Sequence, residues 1–173
     1  MKDRFVSKRI DTASRLIRAS ASTVYQAFAT ADAMKTWLPP QGMTGAMLAF
    51  TFREGGTYRV RLTYNDPQHT LGKTSEDADE VEVRFVRLVP HERIEQAVTF
   101  ESDDPEFSGE MRIAWILHPV QDGTLVTVRC ENVPAGIQAD DHQAGVKSTL
   151  SNLAAFAERG TYMTPQPGDA AHR

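Results

Sequence analysis

The feature that most constrains this chain is an apolar stripe near its carboxy-terminal end. Between Gln138 and Arg159, the residues Val146, Leu150, Leu153 and Ala157 recur at steps of four, three and four. That spacing places them on one face of an α-helix of about six turns, roughly 33 Å long. Asp140 and Asp141 fall in its first turn, where the positive end of the helix dipole favours carboxylates. Arg159 falls in the last turn, and Gly160 suits the position just past the end. Nearly everything before this helix reads as strand. One long helix after a run of strands predicts an α+β fold in which a curved antiparallel sheet wraps around the helix. A sheet that bends away from its helix leaves a hollow between them.

The strands show as alternation. Ile10 to Arg18 reads as the first. Ser20 then offers an N-cap, because its hydroxyl can accept from a free N–H of the first turn. Val24, Ala27, Phe28 and Ala31 give a short helical face, and a second short helix from about Ala31 to Trp37 stops at Pro39 and Pro40. Leu48, Phe50 and Phe52 alternate ahead of a Gly55-Gly56 turn. Tyr58, Val60, Leu62 and Tyr64 alternate with Arg59, Arg61 and Thr63, giving one apolar and one wet face. Residues 66–79 carry turn formers and acids, which predicts a loop. Strands follow from Val81 to about Pro90 and from Ile94 to Phe100. Met111, Ile113, Trp115 and Leu117, then Val126, Val128 and Cys130, form the clearest hairpin, with Asp122-Gly123 as its tight-turn signal.

A chain of 173 residues with 40% apolar content has enough material for one full core. The expected organisation is a single domain over residues 1–160 and a loose tail over 161–173, where Pro165, Pro167 and Gly168 sit. A net charge of -4 and a pI near 5.7 exclude a general nucleic-acid binder, which needs a basic face. The basic stretch of Lys2, Arg4, Lys8, Arg9, Arg15 and Arg18 reads as a solvated end and strand face rather than a phosphate-binding arm. Cys130 is the single cysteine, so no internal disulfide forms, which fits a reducing compartment. With no signal-peptide core and no apolar run near the ~18 residues of a membrane span, the expectation is a soluble, cytoplasmic protein.

Familiar catalytic patterns are missing: no Gly-rich phosphate loop, no paired-cysteine metal site, no H-E-x-x-H and no G-x-S-x-G. No cofactor or metal is expected. His142 lies four residues before Val146, so it borders the inner face of the helix and could place an ionisable group at one end of the hollow. The plainer reading is a helix-start histidine bonded to a loop carbonyl or to Glu131. Cys130 reads as a small buried hydrophobe, because a nucleophile needs a cationic neighbour and only His142 offers one. The inward aromatics are Phe50, Phe52, Tyr58, Tyr64, Phe100 and Trp115, joined by Trp37 from the helical pair. Some of them fill core. Two tyrosines on one inward strand face are notable, since each buried hydroxyl needs a partner. The acidic run Glu76, Asp77, Asp79 and Glu80 reads as a solvated loop.

The order of elements resembles the activator-of-Hsp-ATPase-like branch of the START-like, or SRPBCC, superfamily. The matching stretches are Arg15 to Phe28 (RLIRASASTVYQAF), the segment ending in Trp37, Gly55-Gly56-Thr57-Tyr58, and Val83 to Ile94 (VRFVRLVPHERI). Gly123 to Val133 (GTLVTVRCENV) and the helix through Ala144-Gly145 and Leu150 to Phe156 complete the set. The resemblance implies the helix-grip architecture: seven antiparallel strands gripping a long carboxy-terminal helix, with two short helices after the first strand and a deep cavity between layers. Members of this superfamily bind lipids or other small apolar molecules, a few are cyclases or hydrolases, and some act as co-chaperones. Many relatives carry an aromatic after the helix glycine, where this chain has Val146, which implies a wider space there. The co-chaperone role in eukaryotic relatives involves a separate amino-terminal domain, so that role is not expected of this chain.

The expected function is binding of a small hydrophobic molecule. The expected contacts are Trp37, Phe50, Tyr58, Tyr64, Phe100, Trp115, Arg129, His142 and Val146. Arg129 fits least well, because alternation turns it away from the Cys130 face. A protein-interaction role, including a homodimer, ranks second, and an enzyme using His142 third.

Overall fold

A computed structural model describes residues 9–39, 42–65, 78–100, 104–107 and 109–163, without the side chains of Ala78, Asp79, Phe100 and residues 160–163. Alternating strands pair into one open sheet of seven: β1 (Ile10–Ile17), β2 (Met43–Phe50), β3 (Thr57–Tyr64), β4 (Ala78–Val89), β5 (Arg93–Phe100), β6 (Glu110–Val120) and β7 (Gly123–Glu131). Their spatial order is β1-β7-β6-β5-β4-β3-β2, antiparallel throughout. The edges β1 and β2 are consecutive in sequence, and α1 (Ala21–Gln26) and α2 (Ala31–Trp37) carry the chain between them. α1 packs on β6 and β7, and α2 on β2 and on the last helix, α3 (Ala139–Met163). This is the expected α+β helix-grip arrangement.

Local chemistry sets the element ends. Ser20 caps α1 by accepting from Thr23 N–H at 3.0 Å, as the sequence suggests. Thr30 caps α2 in the same way, accepting from Ala33 N–H at 3.1 Å. The β6–β7 turn brings Gly123 against β1, where an added Cβ would lie 2.2 Å from the Ile17 carbonyl oxygen, so only glycine fits. Three expectations change. β2 starts at Met43, earlier than the alternation suggests, and Leu48 sits at a bulge that leaves it 51% exposed while Phe50 stays with the core. β4 starts at Ala78, so the acidic run is not all loop, and residues 66–77, with Glu76 and Asp77, lie outside the described residues. Glu80 is a strand residue that accepts from Arg61 and Arg59 across β3. The Arg61 hydrogen bond, and then the Arg59 one, hold its carboxyl below the ordinary value. Finally, α3 runs through Gly160 to Met163. One glycine costs a helix only about 1 kcal/mol, and the first true breaker is Pro165. The rest of the expected tail, residues 164–173, lies outside the described residues.

α3 lies along the edge strand β1 and is tied to it at both ends. The Asp11 carboxylate meets His142 Nδ1 at 2.6 Å, and Gln143 Nε2 donates to the Thr12 carbonyl at 3.1 Å. At the far end Arg18 N–H donates to Glu158 Oε2 at 2.9 Å. From Asp11 to Arg18 a strand rises about 24 Å, and from His142 to Glu158 a helix rises the same roughly 24 Å, so the two match in length. On the other side Asn152 Nδ2 donates to the Pro39 carbonyl at 3.1 Å, just after α2. Leu150, Leu153, Ala154 and Ala157 are at most 1% exposed against the sheet. Val146, one turn nearer the helix start, is only half-buried. The packing loosens there.

Candidate functional site

Beneath that loosened end of α3 lies a hollow of 230 Å³. Its floor is the middle of the sheet: Tyr58 from β3, Gln96 from β5, Ile113 and Trp115 from β6, and Val128 and Cys130 from β7. Met34 of α2 and Leu38, which caps its end, close one side, and His142, Gly145, Val146 and Thr149 of α3 form the roof and mouth. Gly145 is exposed, and a Cβ there would meet nothing within 4 Å, so the mouth opens past it. The volume is slightly below the ~300–1,000 Å³ of drug-sized sites, and the lining follows their pattern of apolar walls with a few polar groups.

Four of the nine expected contacts line this hollow: Tyr58, Trp115, His142 and Val146. Trp37 stands behind the wall. It is 2% exposed, its ring centroid is 5.8 Å from that of Trp115, and its Nε1 donates to the Ala27 carbonyl at 2.8 Å. Phe28 completes the edge-to-face cluster, 5.0 Å from Trp37 and 5.1 Å from Trp115. Each such pair adds about 1 kcal/mol beyond its burial, so this wall is rigid. Phe50 packs elsewhere, against Phe52, Tyr58 and Phe85. Tyr64 is half-buried at the end of β3 opposite Met43 and does not line the hollow. Phe100 pairs with Val81 through its backbone, and its side chain is outside the described residues. Arg129 points to the outer face, where its Nε donates to Glu131 Oε2 at 2.6 Å, so it is no cavity contact. Alternation from Cys130 accounts for that.

The polar groups around the hollow are held in definite states. Arg9 donates to Asp11 through Nε and Nη2, at 3.3 and 3.0 Å, and its Nη1 donates to the Ile137 carbonyl. The Arg9 hydrogen bond, opposed by burial and aided by His142, lowers the Asp11 carboxyl below its ordinary value. Asp11 is therefore an acceptor at neutral pH, and His142 must donate Nδ1–H to it. The partner of His142 is thus Asp11, neither a loop carbonyl nor Glu131. Burial first, and the Asp11 charge second, push the Cys130 thiol up to about 12. That is the reverse of what a nucleophilic cysteine needs. Burial alone raises the Tyr58 hydroxyl, which stays neutral. Gln96 is 2% exposed, and its Oε1 accepts from Trp115 Nε1 at 3.0 Å. Its Nε2 has no partner among the described residues.

Asp11 and Gln96 escaped the sequence reading, and Gly145 entered it only as the helix glycine of the resemblance, although all three stand in informative phases. Asp11 and Gln96 are polar residues on the inward phase of their strands, and Gly145 interrupts the roof helix. Two other hollows lie against α3. A larger groove of 820 Å³ runs between α2, the start of β2 and α3, lined by Trp37, Met43 and Phe156 and by polar residues including Lys35, Asn152 and Arg159. It is wider and more polar than the inner hollow. A third, of 360 Å³, lies beside Phe107 and Ile137 and shares His142 and Gly145 with the inner hollow. Among the described residues no group of three or more His, Cys, Asp or Glu could hold a metal ion, and no helix is long and apolar enough to cross a membrane.

Comparison with solved structures finds the same architecture. A crystal structure of a Chromobacterium violaceum protein superposes with a TM-score of 0.75 at 28% identity, covering 86% of this chain and 96% of that one. The solution structure of an AHSA1-like protein from Aeromonas hydrophila gives a TM-score of 0.69 at 13% identity, covering 88% and 94%. A Nitrosomonas europaea protein gives 0.68 at 15%, covering 88% and 96%. A comparison with curated protein sequences found no match. Residues 18–158 match the model of the family described as Activator of Hsp90 ATPase homolog 1-like protein. With its sheet order, its roof helix and most of its length accounted for, the chain belongs to that family.

Proposed function

We propose that this protein binds a small, mainly apolar molecule in the hollow beneath the start of α3, as a carrier or sensor. The observation that supports this most is the hollow itself: 230 Å³, walled by Tyr58, Ile113, Trp115, Val128 and Val146, and open past Gly145. A packed interior rarely keeps a space of that size without use, because voids forfeit dispersion contacts. Native mass spectrometry of protein purified from cells, followed by a thermal-shift screen of small apolar compounds, tests it. A ligand specific for the folded state at a hundredfold excess over its Kd adds about 2.7 kcal/mol of stability. That is a rise of roughly 5–10 °C for a chain of this size. Screening that leaves the melting temperature unmoved would sink the reading.

The Asp11–His142 pair supports a second reading, an acid–base enzyme acting on a molecule held in the same hollow. A carboxylate that fixes the imidazole tautomer leaves Nε2 to take or give a proton. Turnover that survives His142→Ala intact would remove this reading and leave the first untouched.

A further inference from the structure

We infer that the molecule held in the hollow carries a neutral hydrogen-bond acceptor, a carbonyl oxygen, that takes the free amide N–H of Gln96. The inference rests on the binding reading above and adds the chemical class of the ligand. The indole N–H of Trp115 is a donor only, so the atom of Gln96 that faces it at 3.0 Å is the amide oxygen. The amide orientation follows, and the NH₂ group is turned away from Trp115. That nitrogen is the buried side-chain polar atom without a partner among the described residues, and Gln96 belongs to the floor of the hollow. An unmet buried donor costs a fold about 1–3 kcal/mol. Ile94 and Val98, the flanking inward residues of β5, show that the strand takes aliphatic side chains on this face at no such cost.

The remaining lining narrows the class. It contains no lysine or arginine, and its one histidine, His142, is already engaged with Asp11. Asp11 stands behind the mouth with its charge already met by Arg9 and His142. A charged ligand end would be buried unpaired, at a cost far above one hydrogen bond. A neutral ketone, aldehyde or ester on a compact apolar frame suits both the walls and the free amide N–H of Gln96.

The test compares α-tetralone with tetralin, two bicyclic molecules that differ by the carbonyl. Transfer from water alone favours the hydrocarbon. Binding is followed by calorimetry and by tryptophan emission, since Trp115 lines the hollow and Trp37, the other tryptophan of the chain, packs against it. The wild-type protein is expected to bind α-tetralone about tenfold more tightly than tetralin. Gln96→Leu is expected to lose that preference. Because Gln96→Leu strands the Trp115 N–H, the double variant Gln96→Leu, Trp115→Phe removes both polar partners, and calorimetry on it must show the same loss. Equal binding of the two compounds by wild type overturns the Gln96 inference and keeps the cavity reading, since a trapped water would then be meeting the amide. So does a ketone preference that persists in both variants. Failure of either compound to bind wild type overturns the inference together with the cavity reading for molecules of this size.

Discussion

Asp11 ties Arg9 and the first strand to His142, at the end of α3 that roofs the hollow. It is a charge on an edge strand, yet its side chain is only 11% exposed, because Arg9 and His142 close over it. Removing it leaves both partners short of a charged acceptor, so Asp11→Ala is expected to cost about 2 kcal/mol near neutral pH. The sign of the pH dependence follows from its lowered carboxyl. A depressed folded-state value contributes stability above the ordinary 3.8 and loses it as pH falls through the folded value. Urea titrations of wild type and Asp11→Ala, stepped from neutrality to about pH 2, should show a constant gap that closes only in the acid steps. A gap that closes above that range would mean the Arg9 bond does not govern Asp11. Cys130 gives a second residue-scale expectation. With its thiol pushed up to about 12, it should react with a thiol reagent at neutral pH far more slowly in the native protein than in denaturant. Cys130 was legible in part, and Asp11 was not singled out at all. Alternation correctly assigns an inward or outward face, which is why Cys130 reads inward and Arg129 outward. It does not say how far along a strand the cavity lies, so Phe50 and Tyr64 share an inward phase with Tyr58 yet fall outside the lining.

At the scale of elements, α3 is a clamped beam with one weak point. Its ends are tied to β1 by Asp11, Thr12 and Arg18, and its middle is pressed on the core through Leu150, Leu153 and Ala157. Gly145 lies in the unpressed part. A glycine inside a helix costs about 1 kcal/mol against alanine, and here a Cβ has open space before it. Gly145→Ala is therefore expected to raise stability by about 0.5–1 kcal/mol in urea titration. Gly145→Phe should narrow the mouth and slow both association and release of any hollow ligand in stopped-flow tryptophan emission. Unchanged rates would show that entry is elsewhere. The apolar stripe made this helix plain in the sequence, as Ser20 did the start of α1. The weak signals were the ones that fail to oppose each other strongly. Gly160 suggested an end that no breaker enforces before Pro165, and Met43 to Met47, with a glycine and an alanine between, lacks the contrast that marks a strand.

For the molecule as a whole, the sheet order and the helical crossing decide where space can remain. β1 and β2 are the edges, α1 and α2 bridge them, and α3 is held to β1 on one side and to Pro39 on the other. The helix can settle on the sheet only where small and branched residues meet it, and near Val146 they do not fill the gap. A hollow kept by this architecture is a standing loss of packing, and so a place where stability and binding oppose each other. Thr149 lines the hollow from the roof, half-buried, with its hydroxyl donating to the Gly145 carbonyl at 3.0 Å. Thr149→Leu exchanges that side chain for a better helix former and adds apolar atoms to the empty volume. It should stabilise the ligand-free protein by about 1 kcal/mol, since a buried methylene contributes roughly 0.8. The same substitution should weaken every ligand of the hollow at least about tenfold, because the added side chain occupies their space. Urea titration and calorimetry with α-tetralone measure the two effects on the same samples. Stability gained without any loss of binding would mean that the ligand sits elsewhere, with the larger groove beside Lys35 and Asn152 as the next place to look.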